Sequence, residues 1–293
     1  MTRSLTVAAV QAEPVELGSS LTGFADEVGR LAADGAQLIA YPELHLFGTE
    51  GHTGERNDLL RENAVPLDHP LIEELGAIAH RAHAWLVPGT ICEKGPNGEL
   101  FNTALVIDPD GRLVTFYRKV FPWRPSEPYD PGNRFVVFDL NDSTVGINIC
   151  YDAWFPEVTR HLAWIGADVV LNLVKTTTPD REQEVVLARA NAIVNQVFMV
   201  SVNCAGPIGR GRSLIVDPEG DVIIESPTDA PQLLKAALDL DHVTRVREHG
   251  TVGENRMWSQ FRRDDAPVPL PLYDGRIDPQ TWAPRRGVRP ASS

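Results

Sequence analysis

A glutamate, a lysine and a cysteine each follow a short apolar run in this sequence. Ile39-Ala40-Tyr41-Pro42 leads to Glu43, Leu113 to Arg118 leads to Lys119, and Val145 to Ile149 leads to Cys150. A thiol attacks only as its thiolate, and with an ordinary pKa of about 8.5 it needs a base or a nearby cation to react at neutral pH. A carboxylate can supply the base and an ammonium the cation, so these residue types are together the parts of a cysteine hydrolase that needs no histidine. Ligands of an α/β sheet bind at the carboxyl ends of its strands. Three unlike reactive groups at three such ends imply one shared site.

The elements that must position these groups can be read from hydrophobic period and turn residues. Leu5 to Gln11 reads as a strand and Leu21 to Ala33 as a helix with Leu21, Phe24, Val28 and Leu31 on one face. Asp34-Gly35 ends that helix before a strand at Leu38 to Tyr41. A loop rich in glycine, histidine and charge leads to a helix over Pro70 to His83, which opens with proline in its first turn. Trp85 to Cys92 and Asn102 to Ile107 read as strands flanking Gly95-Pro96-Asn97-Gly98, and Asp108-Pro109-Asp110-Gly111 turns the chain into Leu113 to Tyr117. Phe121 to Arg134 reads as a loop held by Pro122, Pro125, Pro128 and Pro131. Strand Val145 to Ile149, helix Pro156 to Ile165, strand Val169 to Leu173, helix Asp180 to Asn195 and strand Phe198 to Val202 repeat the rhythm, followed by a hairpin across Asp217-Pro218-Glu219-Gly220. No composition shift or flexible linker divides these halves. The reading is one domain over 1–263 and a proline-rich polar tail over 264–293.

Composition narrows the class. The chain has 293 residues, long enough for a large core, and its 40 acidic against 27 basic side chains give a net charge of −13. That balance disfavours nucleic acid and anionic membranes as partners. Three cysteines with no CxxC spacing support neither a disulfide framework nor a thiolate zinc site, and a reducing cytoplasm is expected. Met1 to Ser4 runs straight into a strand-like segment and no membrane-length apolar stretch occurs, so neither export nor membrane insertion is expected. Cys92 and Cys204 lack reactive company and read as core thiols. His80 and His83 lie three apart on a predicted helix without a further ligand, so they read as surface or packing residues and no metal is expected. Gly206 to Gly211 lacks the Lys-Ser/Thr ending of a phosphate loop and reads as a turn; no cofactor is expected.

Three longer motifs make the pattern specific. Tyr-Pro-Glu-Leu-His-Leu-Phe-Gly at 41–48, Tyr-Arg-Lys-Val-Phe-Pro-Trp at 117–123 and Asn-Ile-Cys-Tyr-Asp-Ala-Trp-Phe-Pro-Glu at 148–157 resemble, in order and spacing, the glutamate, lysine and cysteine signatures of the nitrilase superfamily, the carbon–nitrogen hydrolases. The likeness runs to about residue 263 and includes Gly211-Arg212-Ser213 and the hairpin ending at Gly220. It implies an α/β fold of the four-layer αββα sandwich type, with subunits paired through helices beside the site. The apolar residues of Pro156 to Ile165 and Asp180 to Asn195 spread beyond one stripe, which suits a homodimer or higher homo-oligomer. The segments from Tyr117 to Gly132 and from Asp180 to Gly206 resemble most the aliphatic amidase and formamidase branch.

The resemblance implies roles that the chemistry of an amide makes concrete. Cys150 is the expected nucleophile and Glu43 its base, which passes the thiol proton to the leaving nitrogen and later activates water. Lys119 and the backbone N–H of Tyr151 are expected to hold the oxyanion, with Glu127, eight residues after the lysine, as the family's second active-site glutamate. Trp123 and Thr176 are the expected substrate-binding residues. The sequence departs from the branch at Tyr151 and at Thr176-Thr177-Thr178, whose small side chains would leave room and hydrogen-bonding capacity for larger or polar acyl groups. Relatives that act on N-carbamoyl amino acids often carry arginines just past the aspartate that follows the cysteine, where this chain has Ala153-Trp154-Phe155 after Asp152. The expected substrate is therefore a neutral or cationic small amide, cleaved to a carboxylic acid and ammonia through a cysteine thioester. An N-carbamoyl amine or a nitrile is the alternative within the class, and a catalytically silent binding scaffold the alternative outside it; a scaffold has no need of Glu43, Lys119, Glu127 and Cys150 together.

Overall fold

The computed structural model describes residues 3–49, 52–269 and 275–277. The chain divides into two compact units, Met1–Arg256 and Met257–Ser293. The described part of the second includes a 3₁₀ turn at Met257–Ser259. Most of the tail expected from Asp264 lies outside the described residues.

In the first unit the elements run β1 (Ser4–Gln11), α1 (Thr22–Ala33), β2 (Leu38–Ala40), α2 (Thr53–Glu62), α3 (Pro70–Ala82), β3 (Trp85–Val87), β4 (Thr90–Lys94), β5 (Leu100–Ile107), β6 (Leu113–Arg118) and β7 (Val136–Leu140). They continue as β8 (Ser143–Ile149), α4 (Pro156–Trp164), β9 (Val169–Val174), α5 (Arg181–Asn195), β10 (Phe198–Asn203), β11 (Leu214–Val216), β12 (Val222–Glu225), β13 (Gln232–Asp239) and α6 (Leu240–His249). One sheet has the order β13-β1-β2-β3-β5-β4, with β6 also paired to β5; the other has the order β12-β11-β10-β9-β8-β7. In each sheet three strands are parallel, β1, β2 and β3 in the first and β8, β9 and β10 in the second, and helices make the crossovers.

The period-2 alternation of the strands builds the layers. Leu5, Val7 and Ala9 of β1 enter one apolar cluster with Val145, Ile147 and Ile149 of β8 and Val169, Leu171 and Leu173 of β9, which is the layer between the sheets. The opposite face of β1, Ala8 and Val10, joins Phe24, Val28 and Leu31 of α1 and Ile72, Leu75 and Ile78 of α3. On the second sheet, Gly146 lets α4 approach so closely that a Cβ there would lie 3.1 Å from Leu162 Cβ. The result is an αββα sandwich. Helix α3 shows how local sequence sets an element: Pro70 opens it, His69 accepts a hydrogen bond from the Leu71 N–H at 3.2 Å, and His83 closes it in the left-handed conformation.

Several elements differ from the sequence reading, α6 among them. The loop expected after β2 contains α2, where Leu60 is the buried residue and no apolar period exists to reveal a helix. The strand expected over Trp85 to Cys92 breaks at Pro88-Gly89 into β3 and β4. Gly89 holds φ of +90°, and a Cβ there would lie 2.1 Å from the Pro42 carbonyl oxygen, so the break is where the chain must let the Glu43 turn come close. Strand β7 follows directly on the proline-rich loop. Strand β13, which pairs with β1 from Ser4 opposite Asp239 to Gln11 opposite Gln232, closes the first sheet's edge, and its alternation is too weak to read locally.

Candidate active site

The residues after β2, β6 and β8 meet where the two sheets adjoin. Glu43 stands in the turn after β2, which is pinned by Tyr41 N–H to the Val87 carbonyl at 2.9 Å and by Leu44 N–H to Thr90 Oγ1 at 2.9 Å. Lys119 follows β6, its N–H donating to the Asn102 carbonyl at 2.9 Å and its carbonyl accepting from Gly132 N–H at 2.7 Å. Cys150 opens a 3₁₀ turn, Cys150–Trp154, directly after β8. Leu44 and Cys150 both hold positive φ, 52° and 48°, a conformation costly for side chains other than glycine and kept where the surroundings over-determine it.

The charges are arranged around one ammonium. Lys119 Nζ donates to Glu43 Oε1 at 3.0 Å and to both oxygens of Glu127, at 2.8 and 2.9 Å. Glu43 is filled on both oxygens: Oε1 also accepts from Asn102 Nδ2 at 2.7 Å, and Oε2 accepts from the Lys175 backbone N–H at 2.9 Å. Glu127 Oε2 accepts from Trp123 N–H at 2.8 Å, which closes its loop on the lysine. Burial alone would push the Lys119 ammonium down, but Glu43 and Glu127 outweigh it and hold the pKa well above the usual lysine value. At Cys150 burial raises the thiol well above its ordinary pKa and the Glu43 charge adds to this, while Lys119 opposes both. The thiol of Cys150 thus lies in the combined field of the Glu43 and Glu127 carboxylates and the Lys119 ammonium.

A sequence profile described as carbon-nitrogen hydrolase matches residues 6–248. The chain belongs to the carbon–nitrogen hydrolase family. Among its curated relatives, a formamidase of Pseudomonas syringae pv. tomato is 32% identical over 232 residues, covering 77% of this chain and 67% of the relative. An omega-amidase NIT2 of Xenopus tropicalis is 29% identical over 244 residues, covering 77% and 84%. The crystal structure of Saccharomyces cerevisiae Nit3, a nitrilase superfamily member, superposes with a TM-score of 0.76 at 25% identity, covering 86% of this chain and 96% of that one. The amidase of Nesterenkonia sp. AN1 gives 0.71 at 26% identity, covering 83% and 97%. A variant of that amidase carries covalent addition of the acetamide moiety of fluoroacetamide at its active-site cysteine. The αββα sandwich is the architecture this carbon–nitrogen hydrolase shares with those structures.

Of the residues singled out in the sequence, Glu43, Lys119 and Glu127 form one ion-paired cluster, and their charges act on the Cys150 thiol. Tyr151 is second in its short turn, among the N–H groups such a turn leaves without an internal acceptor, and its ring packs edge-on to Phe155. The Trp123 side chain is 42% exposed and its backbone closes on Glu127. Thr176 is buried, with its Oγ1 3.9 Å from Cys150 Sγ. Its hydroxyl donates to Glu184 and that of Thr178 to Asp180, so two of the donor protons expected to serve an acyl group are committed within the protein.

Sequence reasoning passed over several residues that hold this carbon–nitrogen hydrolase's site together. Asp152, fully buried, accepts from Tyr117 Oη, Phe121 N–H and Ile149 N–H at 2.8, 2.8 and 3.0 Å. Asn102 orients Glu43 from β5, and Lys175 does so through its backbone. The available signal was a polar residue interrupting an apolar run, as Asn102 interrupts β5, because a buried amide must find a partner. Among the described residues no group of three or more histidines, cysteines and carboxylates is placed to hold a metal ion. No helix among them is long and apolar enough to cross a membrane.

Proposed function

We propose that this protein hydrolyses the carbon–nitrogen bond of a small neutral or cationic amide through a thioester on Cys150. The observation that carries the reading is the Glu43–Lys119–Glu127 cluster whose charges act on Cys150, the residue that follows β8. In this reading Glu43 takes the Cys150 proton and the thiolate attacks the amide carbon. The oxyanion is held by the Lys119 ammonium and the Tyr151 N–H. Glu43 returns the proton to nitrogen, the C–N bond breaks and ammonia leaves. Water then gives a proton to Glu43 and attacks the thioester, and the returning proton restores the thiol as the carboxylic acid departs. Glu127 keeps Lys119 charged and aimed throughout. The formamidase, omega-amidase and Nesterenkonia amidase support the amide class, and the covalent cysteine adduct in the last supports the thioester. The absence of an arginine after Asp152 favours substrates without a carboxylate.

The same reading has the chain acting as at least a homodimer, in a reducing compartment that suits a free nucleophilic thiol. Apolar side chains left exposed on α4 and α5, among them Trp164 at 73% and Val186 at 65%, support the pairing. The test is ammonia release from a panel of short amides, carbamoyl compounds and nitriles, with mass spectrometry of the enzyme during slow turnover. An acyl adduct on Cys150, lost in Cys150→Ala along with turnover, is expected; an adduct on Cys92 or Cys204 would overturn the assignment.

A further inference from the structure

A further carboxylate, outside the Glu43–Lys119–Glu127 cluster, is linked to Cys150 through Thr176: that of Glu184. Three hydrogen bonds fix Thr176: its N–H donates to Asn203 Oδ1 at 2.9 Å, its carbonyl accepts from Arg210 N–H at 2.9 Å, and its hydroxyl donates to Glu184 Oε2 at 2.7 Å. Glu184 sits in the first turn of α5, 6% exposed, and takes Arg181 Nη1 on the same oxygen at 3.1 Å. Arg181, 2% exposed, is held in turn by the Gly211 and Arg212 carbonyls at 3.1 and 2.9 Å.

Paired with a guanidinium, the Glu184 carboxylate can only accept. Thr176 has one hydroxyl proton and it lies on Glu184, so what Thr176 Oγ1 presents to Cys150 Sγ, 3.9 Å away, is a lone pair. The sulfur must then be the donor. Both Glu43 oxygens already accept from Asn102, Lys119 and the Lys175 N–H, and among the described residues Thr176 is the hydrogen-bond partner of the Cys150 thiol.

We propose that Thr176 and Glu184 are a positioning pair that holds resting Cys150 as a neutral thiol, its proton on Thr176 Oγ1 and turned from Glu43, until a substrate occupies the site. When the proton passes to Glu43, the thiolate is left facing an oxygen lone pair with a carboxylate behind it. No donor quenches it on that side, so it is both scarcer at rest and more nucleophilic once formed. The other charges acting on the sulfur are those of Glu43, Glu127 and Lys119, and that of Arg181, which is paired with Glu184. The pair is therefore detected as a difference between variants that leave those groups in place. Its catalytic meaning rests on Cys150 being the nucleophile, but the thiol can be read without any substrate.

The test is modification of the full chain by methyl methanethiosulfonate, a neutral thiol reagent without an amide, from about pH 6 to pH 10, with labelling mapped to Cys150 by mass spectrometry. Thr176→Val keeps the shape and removes the acceptor, and is expected to move the midpoint of Cys150 labelling to lower pH, raising the rate below it by about tenfold per pH unit moved. Thr176→Ser keeps the hydroxyl and should retain the wild-type midpoint. Glu184→Gln should move it in the direction of Thr176→Val; if loss of the Arg181 partner prevents folding, the valine and serine variants decide alone. Superimposable profiles for wild type and Thr176→Val, or a midpoint moved to higher pH, would overturn the pair. A shifted midpoint in a protein that turns over no amide would instead remove the proposed function and leave the pair standing.

Discussion

Tyr117 donates its phenolic hydrogen to Asp152 Oδ2 at 2.8 Å, joining the strand that leads to Lys119 to the turn that begins at Cys150. Both residues are fully buried. Oδ2 also accepts from the Ile149 N–H and Oδ1 from the Phe121 N–H, so one carboxylate fixes the chain immediately before Cys150 and two residues after Lys119. Residues from two different sheets are thereby held to one geometry. Catalytic groups displaced by about 1 Å can lose on the order of 100-fold in rate, which gives such a tie functional weight.

Tyr117→Phe removes the hydroxyl and leaves part of a buried carboxylate without its partner. A loss of about 1–3 kcal/mol in urea unfolding is expected. Amide turnover should fall with kcat affected more than KM, because the tie aligns the groups proposed to react. Unchanged stability together with unchanged kcat would show that the bond holds nothing that matters.

The tie also marks the boundary of what the sequence discloses. Glu43, Lys119 and Cys150 are legible because each follows an apolar strand, and strand ends are local features. Asp152 reaches Tyr117 and Phe121, 35 and 31 residues away, across the junction of two sheets, and no local period reports such a contact. The central parallel strands carry enough apolar alternation to be read almost to their ends. Helix α2 has too few apolar positions to betray itself, and the break at Gly89 exists for the sake of Pro42, remote in sequence. Glu184 is legible as helical but its inward direction is not, because Thr176 and Arg181 decide it.

A pH dependence follows from Asp152. Burial pushes its pKa up to about 6, against the opposing pull of Lys119 and the three hydrogen bonds it accepts. A carboxyl raised in the folded state favours folding most below its unfolded pKa of about 3.9, and that contribution is lost as the pH rises through 6. Asp152→Asn cannot titrate. Whatever the variant loses in hydrogen bonding, the stability difference from wild type should move in its favour between pH 4 and pH 7, by about 2 kcal/mol. Urea unfolding at a series of pH values measures this, and a constant difference would contradict it.

Lys119 is the cation between the buried carboxylate of Glu43 and the half-buried one of Glu127, so its removal should be felt twice. Lys119→Ala leaves Glu43 and Glu127 facing each other without a counter-ion, at an expected cost of about 3–5 kcal/mol in stability. As a proposed oxyanion donor it should also account for on the order of 100- to 1,000-fold in kcat, with a smaller change in KM. Steady-state kinetics on folded protein separate the two effects. Near-normal kcat in a destabilised variant would make Lys119 a structural cation only.

The outer helices of the second sheet carry the exposed apolar side chains on which the proposed pairing rests. Trp164 and Ile165 at the end of α4 are 73% and 47% exposed, and Val186, Ile193 and Val194 along α5 are 65%, 45% and 44% exposed. Single exposed apolar residues are ordinary, but a large aromatic and four β-branched side chains on two adjacent elements form a patch of the kind that marks an interface. The inner faces of both helices are already filled, by Val158 and Leu162 on α4 and Val185, Ala188 and Ala192 on α5, so the exposed set cannot turn inward. Helix α5 also carries Glu184, so the proposed pairing through this face would steady the helix that holds Thr176 beside Cys150. Light scattering at micromolar concentration should give at least twice the chain mass of 32.2 kDa. Trp164→Glu together with Val186→Glu should shift the mass toward monomer, since charges buried in such a face have no partner. A wild-type protein that runs only as a monomer would refute the pairing.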